Sequence, residues 1–242
     1  MNPFTLREEI QKLRVSAKGR LNVVHSGEKK PNSPMITSLV LLSQHKLLLV
    51  DYYNRMLKLL EVESNCITHK LETTGQPWDA TALPDDHAAI TIPNEHKIMV
   101  VSINGQYLSI AGSIQVNDTC QGMCYHDQKL YVTYCSPGKV ETLDLDGNVV
   151  WYIDSFHQPN LFHVTVFNDN DKTNICVSDN STHRITILNL FKTLDWRLHT
   201  LNGNNPRGVV TLCSGVIGVC SVTFTSSHAF EEITGRIKSS NV

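Results

Sequence analysis

KLLLVDYYNRMLKLLE, running from Lys46 to Glu61, is an apolar β-rich run, a polar turn that ends on a basic residue, and a second alternating run. The same pattern returns as HAAITIPNEHKIMVV from His87, KLYVTYCSPGKVETLD from Lys129 and NICVSDNSTHRITILN from Asn174. Asp51, Pro93, Tyr134 and Asp179 hold equivalent places, so the steps are 42, 41 and 45 residues. Each copy reads as two strands joined by a tight turn. A repeat of that length is the period of a β-propeller blade.

Between the copies, Gly and Pro mark the crossovers: Gly75-Gln-Pro77, Gln121-Gly122, Gln158-Pro159 and Asn205-Pro206-Arg-Gly208. These residues punctuate strands. They divide the chain into blades at Met35–Pro77, Trp78–Gly122, Met123–Pro159 and Asn160–Pro206, with a partial fifth from Arg207. Asp144-Leu-Asp146-Gly147-Asn148 has part of a calcium-loop pattern but no distal Glu, so it reads as a hairpin turn with Gly at positive φ.

The expected domain plan has four parts. Residues 1–19 form a short helix, with Thr5 and Glu8 as a capping box and Leu6, Ile10 and Leu13 along one face. That stripe fits either a coiled-coil remnant or a cap on the domain. Residues 20–34 are a strand, Arg20 to His25, and a polar linker. Residues 35–220 are the blades, and 221–242 a divergent tail in which the Asp, turn and Arg set does not recur. Four blades and a fraction predict an incomplete, unclosed all-β propeller, since closure needs the first and last blades to seal. A truncated gene product or a divergent last exon would account for it.

Composition is that of a globular domain, with 41% hydrophobic and 18% charged residues. The longest nearly uncharged stretch, Gly208 to Phe224, is short and weakly apolar for a membrane span, so no membrane partner is expected. The charged start lacks an apolar signal-peptide core, and a cytoplasmic location follows as the default. Residues 1–34 carry a net charge of +4 and the remainder −6. An acidic body argues against non-specific nucleic-acid binding unless one face is locally basic. The seven cysteines are odd in number and fall mostly in apolar runs, where thiols pack as small hydrophobes. Cys120 and Cys124 with His126 form at most half of a zinc set, and no metal or cofactor is expected.

These repeats resemble NHL repeats. ICVSDNSTHRITILNL matches best through Asp179, His183 and Arg184, and the first copy keeps Asp51, Asn54 and Arg55, whereas Pro93 and Tyr134 replace the Asp in the middle two. The order from Lys18-Gly-Arg-Leu-Asn-Val23 through GQPWDATAL resembles the carboxy-terminal half of invertebrate tripartite-motif-like proteins. That resemblance implies a propeller that recruits a protein or structured RNA target for ubiquitination. The ligase activity belongs to a RING and B-box for which this sequence has no cysteine and histidine series.

No catalytic motif occurs, neither GxSxG, HExxH nor a phosphate-binding glycine loop, so the expected role is non-enzymatic and no catalytic residue is assigned. Asp51, Asp79, Asn94 and Asp179 are placed to face a channel, as in propeller hydrolases and lactonases, or to bond local backbone. Arg55, Lys97, Lys139 and Arg184 hold equivalent turn positions. They would form a basic ring for RNA phosphates or an acidic protein segment, or pair with carboxylates of their own and adjoining blades. Tyr52, Tyr53, Tyr107, Tyr131, Tyr134 and Trp151 read as strand packing rather than as base-stacking platforms. An adaptor role, with residues 5–18 docking on a partner coiled coil, is the alternative.

Overall fold

A computed structural model describes Val23 and residues 34–154, 160–169, 172–182 and 184–189, and the backbone path of 197–200, 205–213, 216–225 and 228–233. The expected amino-terminal helix, most of the Arg20–His25 strand, and His183 lie outside the described residues.

Strands dominate, in five antiparallel sheets. The first holds β1 (Ile36–Ser43), β2 (Lys46–Asp51), β3 (Met56–Glu61) and β4 (Cys66–Glu72) in chain order. The second holds β5 (Ala80–Leu83), β6 (His87–Ile92), β7 (Lys97–Asn104) and β8 (Tyr107–Gln115), and the third β9 (Cys120–His126), β10 (Lys129–Cys135), β11 (Gly138–Leu143) and β12 (Val149–Ile153). The fourth is β13 (Leu161–Asp169), β14 (Lys172–Asp179), β15 (Arg184–Asn189) and β16 (Arg197–Thr200); the fifth is β17 (Asn205–Cys213), β18 (Val216–Thr225) and β19 (His228–Ile233). The first strand of each sheet packs on the first strand of the next, so β1, β5, β9, β13 and β17 line a common axis. This is a propeller arrangement of four complete blades and a three-stranded fifth sheet. The sequence repeat corresponds to the two middle strands of each blade.

Alternation explains the packing. Leu48, Val50, Leu57 and Leu59 of the first sheet meet Ala80, Ile90 and Met99 of the second. Ala89 and Ile98, on the second sheet's other face, meet Met123, Leu130 and Val132 of the third, and Tyr131 and Val140 pass the pattern to Val164, Ile175 and Val177 of the fourth. In the first four sheets the middle strands are largely buried on both faces, which is why the repeats read as near-continuous hydrophobic runs broken by a few paired charges such as Lys58 and Glu141. Each fully buried Leu, Ile or Val stabilises the fold by roughly 1.5–3 kcal/mol.

The turns follow their residues. Gly147 takes φ +90°, and Asp144 caps the β11–β12 hairpin by accepting from the Asn148 N–H and side-chain amide at 2.7 and 2.9 Å. The carboxy-terminal end departs from expectation. The tail was placed at residues 221–242, but β18 runs through Cys220 to Thr225 and β19 follows to Ile233. The Asp–turn–Arg set marks a turn type, and the β-rich alternation of SVTFT continues a strand without it. Among the described residues, no substantial packing joins the first sheet to the fifth. The described sheets form an all-β propeller arrangement, as the repeat predicted.

Candidate functional site

The middle hairpin turns and the connectors that start each inner strand lie at one end of the propeller, because β1 is antiparallel to β2 and brings Ile36 beside Asp51. Four of the five inner strands carry a register shift at this end, between Ile36 and Ser38, opposite Val132 and Tyr134, between Leu161 and His163, and between Pro206 and Gly208. Such bulges re-aim side chains. The second sheet reaches the same geometry through its connector, where Trp78 N–H donates to the Thr91 carbonyl. Thr37, Trp78, Gln121 and Phe162 thus occupy equivalent places. Thr37 Oγ1, Trp78 Nε1 and Gln121 Oε1 are buried with no protein hydrogen-bond partner.

One residue further in, a hydroxyl on each second strand fixes the inner strand. Asp79 N–H donates to Thr91 Oγ1 at 3.0 Å, Gly122 N–H to Thr133 Oγ1 at 2.8 Å, and His163 N–H to Ser178 Oγ at 3.2 Å. Asp79 then ties three blades. Its Oδ1 accepts from the Ala80 N–H, its Oδ2 from the Met123 N–H at 2.9 Å, and His163 Nδ1 lies 3.4 Å from the same Oδ2. Gly122 permits the approach, since a Cβ there would sit 2.3 Å from the Phe162 carbonyl oxygen.

Around this polar centre runs a strip of rings, edge-to-face from Tyr53 to Phe162 and tilted at His163. Tyr53 meets Tyr52 at 5.5 Å, Tyr52 meets Trp78 at 5.5 Å, Trp78 meets Phe162 at 5.3 Å, and Phe162 meets His163 at 6.4 Å. Tyr53 is 53% exposed and Phe162 is buried, so the strip runs from solvent to the axis across the first, second and fourth blades.

The basic positions lie at the same end. Lys97 pairs with Glu95 at 2.5 Å and donates to Thr74 Oγ1, and this pairing holds the Glu95 carboxyl below its usual range, with Arg55 adding a smaller pull. Lys139 pairs with Asp118 and Glu141 and lies 4.6 Å from the centre of the Tyr134 ring. Burial alone would lower the Lys139 pKa, but the two carboxylates raise it overall. Arg55 is exposed on a turn with φ +51°, and Arg184 begins β15, its side chain lying outside the described set. Two of the four positions are therefore bound to acidic partners from their own blade or connector.

The channel carboxylates are likewise engaged. Asp51 pairs with the fully buried Lys58 at 2.8 Å and accepts from Asn54 and the Met35 N–H. Asp179 accepts from Ser181, Thr182 and the Asn160 N–H; burial pushes its pKa up, and these bonds more than reverse it. Asn94 accepts from the Gln76 N–H. Among the described residues no group of three or more His, Cys, Asp or Glu could hold a metal, and no helix is long and apolar enough to cross a membrane. Burial pushes the Cys120 and Cys176 thiols up to about 12, whereas Cys66 is exposed.

The tyrosines divide. Tyr131 and Tyr134 are buried strand residues as expected, but Tyr53 and Tyr107 are exposed. The strip through Trp78 and Phe162 was missed, because the two lie 84 residues apart and outside the repeat core. A signal was present: each follows a Gln-Pro crossover, Trp78 directly and Phe162 three residues on.

No protein-family model and no curated protein matches the chain. Solved structures do. Hydrazine synthase of Kuenenia stuttgartiensis superposes with a TM-score of 0.64 at 15% identity, over 84% of this chain and 60% of that one. A streptogramin B lyase gives 0.64 at 14% identity over 84% and 70%, and U3-55K gives 0.64 at 10% over 78% and 59%. Likeness at this identity speaks for fold alone, and with the sheet order it defines the class: a β-propeller. This chain spans about three fifths of the hydrazine synthase and U3-55K chains.

Proposed function

We propose that this chain is a non-catalytic recognition module that binds a protein partner at the turn end of the propeller, resembling the target-recognition part of tripartite-motif ubiquitin ligases. The aromatic strip from Tyr53 through Tyr52 and Trp78 carries the reading. Rigid aromatic side chains that are exposed at one end and packed at the other are the anchors on which protein interfaces concentrate their energy. An RNA ligand would need cations free to neutralise phosphate. Lys97 and Lys139 are bound to carboxylates instead, which favours protein over RNA. The channel carboxylates, engaged in ion pairing and turn hydrogen bonds, favour binding over hydrolysis.

Pulldowns with and without RNase test the reading. The Tyr52→Ala/Tyr53→Ala chain is expected to lose a partner that survives RNase, while a chain with Arg55, Lys97, Lys139 and Arg184 changed to Gln keeps it. Retention of every partner by the tyrosine variant refutes the proposal. Loss on RNase treatment and in the glutamine variant instead assigns the end to RNA.

A further inference from the structure

The outer strand of each complete blade is a sheet edge, and natural edges are guarded by charge, by poor strand formers or by a covering element. Three of the four outer strands follow that rule. β4 carries Lys70 and is tied to β8, whose Leu108 N–H donates to His69 Nδ1 at 3.2 Å. β8 has Ala111 and Gly112 at its centre, residues depleted in strands. β16 begins on Arg197.

β12 departs from it. Val149-Val-Trp-Tyr-Ile153 consists only of β-branched and aromatic residues, with no charge, glycine or proline. Val149, Val150 and Tyr152 are 48%, 55% and 59% exposed, and Leu145 in the hairpin before them is 46% exposed. Among the described residues the only substantial strand packing of β12 is on β11. A register shift between Thr142 and Leu143 places a bulge in β12. Shifts between Leu59 and Leu60 and between Val100 and Val101 place one at the same point of β4 and β8, so the bulge is common to these blades and does not guard this edge.

Both ends of the strand are acidic. Asp144 and Asp146 precede it, Asp154 follows it, and no lysine or arginine occurs from Val140 to Asp154. Asp146 and Asp154 are exposed. A second copy of β12 laid along this edge, in either direction, would bring acidic ends together, which is unfavourable. Val23, ahead of the blades in sequence, is placed at the first sheet, where its carbonyl accepts from Lys58.

We infer that the β12 edge takes an extended strand of a partner protein whose apolar alternation is flanked by lysine or arginine, added to the third sheet as a fifth strand. Main-chain hydrogen bonds along β12 hold the strand, and Val149, Val150 and Tyr152 pack on its side chains. The acidic ends pair with the basic flanks and set its position. This surface lies on the outer rim and is separate from the turn end.

Anisotropy of a fluorescein-labelled peptide, Lys-Lys-Val-Thr-Val-Thr-Val-Lys-Lys, mixed with the full chain tests this, and hydrogen–deuterium exchange locates the binding. Saturable binding is expected, with exchange slowed over residues 149–153. Glutamate in place of the peptide's lysines should weaken binding more than about tenfold, since like charges then meet. Proline in place of its central valine removes a ladder donor and should have a similar effect. Tyr152→Lys and Val150→Lys, both at exposed positions, should each weaken binding more than about tenfold and leave the Tm unchanged. Both variants should retain the Tyr53-dependent partner, which keeps failure here distinct from failure at the turn end. Equal binding of the glutamate or proline peptide, undiminished binding by both lysine variants, protection confined to other residues, or no binding each overturns the proposal. So does a dimer of this chain in sedimentation that Tyr152→Lys dissolves, since a second copy then takes the edge.

Discussion

Replacing Asp51 by Asn should destabilise the fold far more than replacing its partner Lys58 by Met. Both side chains are fully buried and 2.8 Å apart. Removing one member of such a pair strands the other charge in a low-dielectric site, typically at about 3–5 kcal/mol. The two halves differ, however. In Lys58→Met the remaining carboxylate still accepts from the Met35 N–H at 3.3 Å and from the Asn54 side chain at 2.8 Å. In Asp51→Asn the ammonium keeps the Val23 carbonyl but loses the carboxylate 2.8 Å away, replaced by a neutral amide. The loss should therefore be about 3–5 kcal/mol for Asp51→Asn and about 1–3 kcal/mol for Lys58→Met, the latter near the cost of disturbing a hydrogen-bonded buried group. The double variant removes both charges and should recover at least half of the larger loss. Urea unfolding followed by tryptophan fluorescence, with a constant m-value, measures all three. A double variant as unstable as the sum of the singles would refute the coupling. Equal losses in the singles would refute the asymmetry.

Gly122→Ala should destabilise by about 3 kcal/mol or prevent folding, because its methyl would meet backbone atoms of Phe162 and His163 and backbone cannot swing aside; a melting curve like that of the parent chain would show that the inner strands of the third and fourth blades are not so close. Mass-spectrometric mapping of iodoacetamide labelling at neutral pH should find Cys66 modified first, with Cys120 and Cys176 modified only on unfolding, since burial raises those thiols. Asp179 has a depressed folded pKa, so its contribution is complete above the ordinary value of 3.8 and is lost as the pH falls through the lower folded value. Asp179→Asn should flatten the acid limb of the stability–pH curve below about pH 4 while shifting the neutral plateau downward, and an unchanged acid limb would contradict the assigned bonds.

The fold was legible because the period falls on the middle strands, whose two buried faces make continuous apolar runs such as KLLLVD and NICVSD. The inner strands were legible only through their crossovers. ITSLVLLS and ATAL differ in length and in side-chain size, because an inner strand is set by what its neighbours leave room for: alanine at position 80, methionine at 123 and valine at 164 fill one register. Of the fifth sheet, the crossover at 205–208 and the apolar run to Cys220 are legible as a partial blade, whereas β19 follows without the Asp, turn and Arg set that marks the other copies.

The site shows the same division more sharply. Lys97, Lys139 and Arg184 pair with Ile92, Tyr134 and Asp179 across the middle hairpins, whereas Arg55 stands one place earlier because Met56 pairs with Asp51, and spacing does not carry charge balance. Whether a turn lysine is free depends on Glu95, two residues before Lys97, and on Asp118, which the connector brings to Lys139 from 21 residues away. The hydroxyl device was readable in principle, since Thr91, Thr133 and Ser178 each stand one place before the repeat's reference residue or its strand-end counterpart. Those hydroxyls hold the inner strand at Asp79, Gly122 and His163, the three positions where a side chain, or its absence, shapes the axis. A repeat therefore specifies the frame that presents residues, whereas the residues presented vary from blade to blade, and in this propeller the departures from the repeat, Trp78, Asp79, Phe162 and His163, are the side chains that tie its blades together at the turn end of the axis.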